Sequence, residues 1–171
     1  MAKIRSLLPI VVVSIVLASC SSISREALEL QGKQVPFTAF TLINGGYLVT
    51  DELQGRASVI AFWAHWCPHS RQSIIKLNDL ARRYSHRTDI VFIAASLDSE
   101  SDFKKLQNFI KEHELNNLIH AFSGHEAHDR AFLILKGERV PYIVVLDRAT
   151  RVVSISHNEK EVDRLLAEGS R

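Results

Sequence analysis

Cysteine is scarce in this chain, which has one at position 20, one at position 67 and no others, too few for a disulfide framework. Charge of one sign is scarce as well. Lys3 and Arg5 are the only charged residues before Cys20, and without them the 21 basic and 19 acidic residues become 19 of each. A formally neutral remainder with no stripe of lysine and arginine gives no reason to expect a nucleic-acid partner. The apolar stretch from Leu7 to Leu17 is shorter than the roughly 20 residues of a membrane span. His125-Glu126-Ala127-His128-Asp129 lacks the histidine at position 129 that a zinc-protease H-E-x-x-H requires. With His120 nearby these histidines could form a surface metal site, but a solvated helix start accounts for them.

Lys3 and Arg5 precede an apolar stretch that ends in Leu17-Ala18-Ser19-Cys20, the plan of a secretory signal with small residues before the cut. The tetrapeptide resembles the lipobox of bacterial lipoproteins, which implies cleavage after residue 19 and lipidation of Cys20. An uncleaved anchor, or an ordinary signal with an incidental cysteine, is the alternative. The resemblance implies a bacterial envelope protein that faces the periplasm and is held to the membrane through Cys20. Ser21, rather than aspartate, points to the outer membrane. The expected organisation is a lipoprotein signal peptide over 1–19, a lipid-anchored linker over 20–34 and one domain over 35–171. The roughly 150 residues left after cleavage suffice for a single core. In an oxidising compartment Cys67 is then the remaining thiol, which marks it as a reactive group.

Residues 21–34 read as a polar linker or short helix, punctuated by Pro36. Phe37 to Leu42 and Tyr47 to Val49 flank Ile43-Asn44-Gly45-Gly46, whose Asn and Gly accept positive φ, so a β-hairpin is expected. Ala57 to Ala64 is a continuous apolar run, the pattern of a central strand buried on both faces. Beyond Cys67 the period becomes helical, with Ile74, Ile75, Leu77, Leu80, Ala81 and Tyr84 on one face and Arg71, Lys76, Arg82 and Arg83 on the other. Ile90 to Ala95 and Val140 to Leu146 are further core strands. Between them lie a helix carrying Phe103, Leu106, Phe109 and Ile110, a short strand over 118–122, and a helix after Gly124 through Ala131, Phe132 and Leu135. Val152 to Ile155 returns as a hairpin partner, and Glu161 to Ala167 closes the chain as a helix. This alternation predicts an α/β fold, a central mixed β-sheet flanked by helices.

Several segments together resemble the TlpA-like branch of the thioredoxin superfamily over roughly residues 35–168. They are Pro36-Phe37, Gly46, Leu53-Gln54-Gly55, Phe62-Trp63-Ala64-His65-Trp66-Cys67-Pro68, Arg71, the strand ending in Ser96-Leu97-Asp98, and Val140-Pro141 followed by an apolar strand and Asp147. The resemblance implies a thioredoxin-like fold with an N-terminal β-hairpin and, over Asp98 to Phe122, the extra helix and strand that this branch inserts. It implies a thiol site at Cys67, with Trp66 as contact surface and Trp63 in the core. It further implies a cis bond between Val140 and Pro141, opposite the thiol, where an extended substrate segment pairs. By local pattern alone Pro141 reads as a trans proline opening a strand.

Cys67-Pro68-His69-Ser70 opens the helix. A cysteine there sits near unpaired backbone N–H groups and the positive end of the helix dipole, which favour a negative sulfur. Pro68 suits a position whose N–H would have no partner. His69 can add positive charge or a hydrogen bond, and the tetrapeptide resembles the C-P-H-C of DsbA enzymes. An inert buried cysteine is the alternative. Ser70 departs from the pattern. In a C-x-x-C enzyme the second thiolate attacks the mixed disulfide and releases product; a serine cannot, although its hydroxyl can hydrogen-bond a Cys67 thiolate. Ala61 stands where other thioredoxins carry a buried acid, a second loss on the same half-reaction.

Three function classes follow. The first is a monothiol oxidoreductase or isomerase acting on envelope protein thiols or disulfides, with Cys67 as nucleophile and release left to an external thiol reductant. The second is a non-catalytic thioredoxin-fold module for binding or assembly. The third is copper or zinc handling through His65, Cys67 and His69, which form H-x-C-x-H. The first two call for no cofactor or metal. A peroxidase is disfavoured because Ala64 and His65 occupy the positions of the peroxiredoxin threonine.

Overall fold

The apolar run expected as a central strand forms β3 (Ala57–Trp63), and six of its seven residues are buried. The computed structural model describes residues 23–168; the expected signal peptide, Cys20 and the start of the expected linker lie outside them. β3 pairs in parallel with β4 (Ile90–Ser96) and antiparallel with β6 (Tyr142–Leu146). β5 (Ile119–Phe122) lies outside β4 and β7 (Val152–Ser156) outside β6, giving a mixed sheet in the order β5-β4-β3-β6-β7. β1 (Ala39–Thr41) and β2 (Tyr47–Val49) form the N-terminal hairpin, turned by Gly45 and Gly46 at φ 92° and 82°, a conformation that glycine adopts without steric cost.

Side chains alternate across β3, so the sheet has a core on each face. Val59, Ala61 and Trp63 pack with Leu77 and Leu80 of α2 (Pro68–Arg83), Leu106 and Phe109 of α3 (Phe103–Glu112) and Val162 and Leu166 of α5 (Glu159–Glu168). Ile60 and Phe62 face the other way, toward Phe40, Leu53 and the short α4 (Arg130–Ile134). There the Phe62 ring meets Phe132 at 5.2 Å, edge to face, a geometry favoured by aromatic quadrupoles. Ala61, at 3 % exposure, lies wholly within apolar packing. α3 and β5 are the expected extra helix and strand, added at the β4 edge.

Two segments differ from the sequence expectation. The expected linker over 20–34 is, in its described part, docked on the domain. It carries α1 (Arg25–Leu28), whose Ala27 is fully buried, and its backbone pairs with the β7 region: the Gly32 N–H donates to the Val152 carbonyl at 2.8 Å and the Val152 N–H to the Lys33 carbonyl at 3.0 Å. These bonds use groups that an edge strand otherwise leaves open. The single helix expected after Gly124 is broken into a 3₁₀ turn, Glu126–His128, and α4. Asp129 restarts the helix, because its carboxylate accepts the Phe132 N–H at 2.9 Å as an N-cap. Among the described residues no helix is long and apolar enough to cross a membrane.

His120 on β5 gives the fold a pH dependence. Burial lowers its pKa more than its 2.7 Å hydrogen bond to the Leu115 carbonyl raises it, so the folded state holds the neutral ring. The unfolded chain takes up a proton as the pH falls below the ordinary histidine value of 6.5, while the folded chain resists it. This contribution is therefore complete above that value and is lost below it. Denaturant unfolding at about pH 7 and about pH 5.5 is expected to show a smaller acid loss of stability for His120→Gln than for the parent. Equal losses in both proteins would remove His120 from the account.

Candidate thiol site

β3 ends at Trp63, and a short turn carries the chain to Cys67, the extended N-cap residue of α2. The Cys67 N–H donates to the Ala64 carbonyl at 3.2 Å, and the Cys67 carbonyl accepts the Arg71 N–H at 3.0 Å. Pro68 occupies the first helical position, where no N–H is needed. The half-buried sulfur lies 3.9 Å from the Val140 carbonyl oxygen, and the Val140–Pro141 bond is cis. The sheet thus brings together Cys67, Pro68, Val140 and Pro141 from opposite ends of the domain. Trp66 projects beside them, 60 % exposed, whereas Trp63 is buried with its ring 5.6 Å from that of Phe109.

His69 and Ser70 are not drawn to the sulfur. His69 is exposed at the second helical position, and its side chain makes no hydrogen bond among the described residues. Ser70 is fully buried, and its Oγ has no partner. The hydrogen bond that this hydroxyl could make to Cys67 is therefore not formed. A buried hydroxyl without a partner at this third helical position is costlier than a thiol there would be.

The three residues of the metal alternative are not brought together. His65 Nδ1 pairs with Asp98 at 2.5 Å instead of converging with Cys67 and His69, and no group of three or more candidate ligands is assembled among the described residues. Asp98 is the site residue whose role the sequence left unread. Wholly buried, it accepts the His65 backbone N–H at 3.1 and 3.2 Å and the Ser96 hydroxyl at 2.6 Å, besides the His65 ring. The available signal was a carboxylate just past the end of the strand that neighbours β3, paired in register through Trp63 and Ser96.

The family model described as Redoxin matches residues 30–167. The chain is 25% identical over 91 residues to the thiol-disulfide oxidoreductase ResA of Bacillus cereus, covering 53% of this chain and 50% of that protein. It thus spans about half the length of that curated relative. Among solved structures it is similar to the thioredoxin domain of a thiol-disulfide oxidoreductase from Bacteroides vulgatus, with a TM-score of 0.70 at 14% identity over 88% of this chain and 100% of that one. A thiol-disulfide oxidoreductase from Bacteroides fragilis gives 0.69 at 17% identity, over 80% and 99%. The fold is thioredoxin-like.

The orphaned Ser70 hydroxyl yields a stability prediction. An unsatisfied buried hydroxyl costs about 1–3 kcal/mol, so Ser70→Ala is expected to raise unfolding stability by about 1 kcal/mol. Ser70→Cys is expected to close a disulfide with Cys67 under mild oxidation, seen as the loss of two hydrogens in the intact mass. A destabilised Ser70→Ala protein would mean that the hydroxyl has a partner after all.

Proposed function

Because the chain belongs to the Redoxin family, we propose that it is a thiol-disulfide exchange protein working with one sulfur. The observation that carries this reading is the half-buried Cys67 at the start of α2, facing the Val140 carbonyl, with a serine buried at position 70. The Cys67 thiolate attacks a disulfide sulfur of a protein client. The client S–S bond breaks, its outgoing thiolate takes a proton from solvent, and a mixed disulfide forms at Cys67. Val140 and Pro141 offer backbone to an extended client segment, and Trp66 offers an exposed aromatic surface. His69, on the first turn, supplies polarity at the rim.

Release needs another sulfur. Ser70 forms no disulfide, and Cys67 is the only cysteine among the described residues. An external thiol therefore resolves the adduct. The leader supports a compartment: the resemblance of Leu17-Ala18-Ser19-Cys20 to a lipobox favours a lipid-anchored protein of the bacterial envelope facing the periplasm, and Ser21 favours the outer membrane, with envelope protein thiols or disulfides as partners. Ser70 and the apolar Ala61 also favour a second reading, in which the same groove holds clients without turnover.

Insulin reduction with glutathione separates the two. The parent protein is expected to accelerate the reaction over glutathione alone, and Cys67→Ala to return it to that background. A Cys67→Ala protein as active as the parent would reject the thiol mechanism, and inactivity of both would favour the holding module.

A further inference from the structure

The reactive sulfur lies beside a ridge that separates two clefts of opposite charge. A cleft of about 600 Å3 is lined by His69, Lys76, Arg139, Pro141, His157 and Lys160, with Glu159 as its acid. The other, of about 290 Å3, includes Trp66, Glu126, Glu138 and Asp102, the last paired with the Lys105 ammonium at 2.7 Å. Arg139 and Val140 line both, and the Val140 carbonyl is the group 3.9 Å from Sγ.

The larger cleft holds uncompensated positive charge. Glu159 is taken up by the Lys76 ammonium at 2.7 Å and the Ser73 hydroxyl at 3.3 Å. Arg139 and Lys160 form no ion pair among the described residues. His157 donates from Nδ1 to the Pro141 carbonyl at 2.6 Å, which leaves its buried Nε2 without a partner. A ligand N–H would satisfy that nitrogen in the neutral ring, and a carboxylate in the protonated ring. The volume falls within the roughly 300–1,000 Å3 typical of small-molecule sites.

We propose that this cleft receives the resolving thiol, and that this thiol is a small, carboxylate-bearing one of tripeptide size. The proposal rests on the monothiol reading above. The resolving thiolate attacks Cys67 Sγ in the mixed disulfide; the bond to the client breaks, and the client leaves as a thiolate that takes up the proton the resolving thiol gave to solvent. A second resolving thiolate attacks the new disulfide, restores the Cys67 thiolate and leaves as the oxidised dimer. Two thiols are oxidised, and their electron pair reduces one client disulfide. The acidic cleft across the ridge repels the same ligand, so attack comes from one side.

The test uses the full-length chain with Cys20→Ser, whose Cys67 is converted to a neutral thiopyridyl disulfide. Thiopyridone release is timed with glutathione, mercaptoethanol and cysteamine, which are anionic, neutral and cationic. Each rate is divided by that of the same thiol on the thiopyridyl disulfide of a small neutral cysteine derivative, which cancels intrinsic reactivity. The expected result is a normalised preference of about tenfold for glutathione over cysteamine at low ionic strength, shrinking with added salt. Lys160→Glu and Arg139→Glu, each checked for native thermal unfolding, are expected to abolish or invert it. Equal normalised rates overturn the cleft assignment while the insulin assay still judges the monothiol reading. Failure of Cys67 to form the adduct overturns both.

Discussion

The two ladders of β3 determine the geometry around Cys67. In the parallel ladder Trp63 is level with Ser96, and in the antiparallel one Phe62 is level with Tyr142. The end of β3 therefore meets the end of β4 on one side and the beginning of β6 on the other. That arrangement, and no local preference of the C-P-H-S tetrapeptide, brings Asp98 and Val140 to the same turn. A strand buried on both faces tolerates little slippage, since a shift by one residue would exchange Ile60 and Phe62 with Val59, Ala61 and Trp63 between two unlike cores.

Asp98 converts this register into a fixed sulfur position. Its carboxylate is wholly buried, a costly placement unless its lone pairs are occupied. They are, by the His65 backbone, the His65 ring and Ser96. The turn between β3 and α2 is thus clasped to the end of β4 two residues before Cys67, and the Leu97 N–H donates to the Trp63 carbonyl at 2.8 Å beside it. His65 belongs to this clasp. Its ring holds the turn that leads to Cys67.

The elements with strong periodicity were legible in the sequence: the apolar run of β3, the amphipathic α2, the Asn-Gly-Gly hairpin and the α/β alternation. Local chemistry also fixed Pro68 at the first turn of α2. What escaped was long-range. The docking of residues 24–34 depends on open backbone groups beside β7, more than a hundred residues away, and polarity alone resembles a linker. The break before α4 came from an internal cap at Asp129 that a helical pattern averages away. The His65–Asp98 pair and the two clefts are assembled from segments with no common motif, so charge counts over the chain beyond Cys20, which cancel, hid a local imbalance. Ser70 was recognised as a departure, but only the structure shows that its hydroxyl is buried without a partner.

On the proposed monothiol reading, the exchange cycle divides at this residue. Capture requires a sulfur at the helix start and a carbonyl edge opposite it, and those depend on β3, Asp98 and the Val140–Pro141 segment. None of them involves the side chain at position 70. Release requires only that a second sulfur reach the mixed disulfide in line, and a sulfur delivered through a cleft meets that condition as well as one held in the helix. On this reading the serine at 70 leaves capture intact and transfers the choice of reductant from the chain to its surroundings. The proposed cleft puts that choice at Arg139 and Lys160, which form no ion pair among the described residues and line the same cleft as Val140, whose carbonyl faces the sulfur.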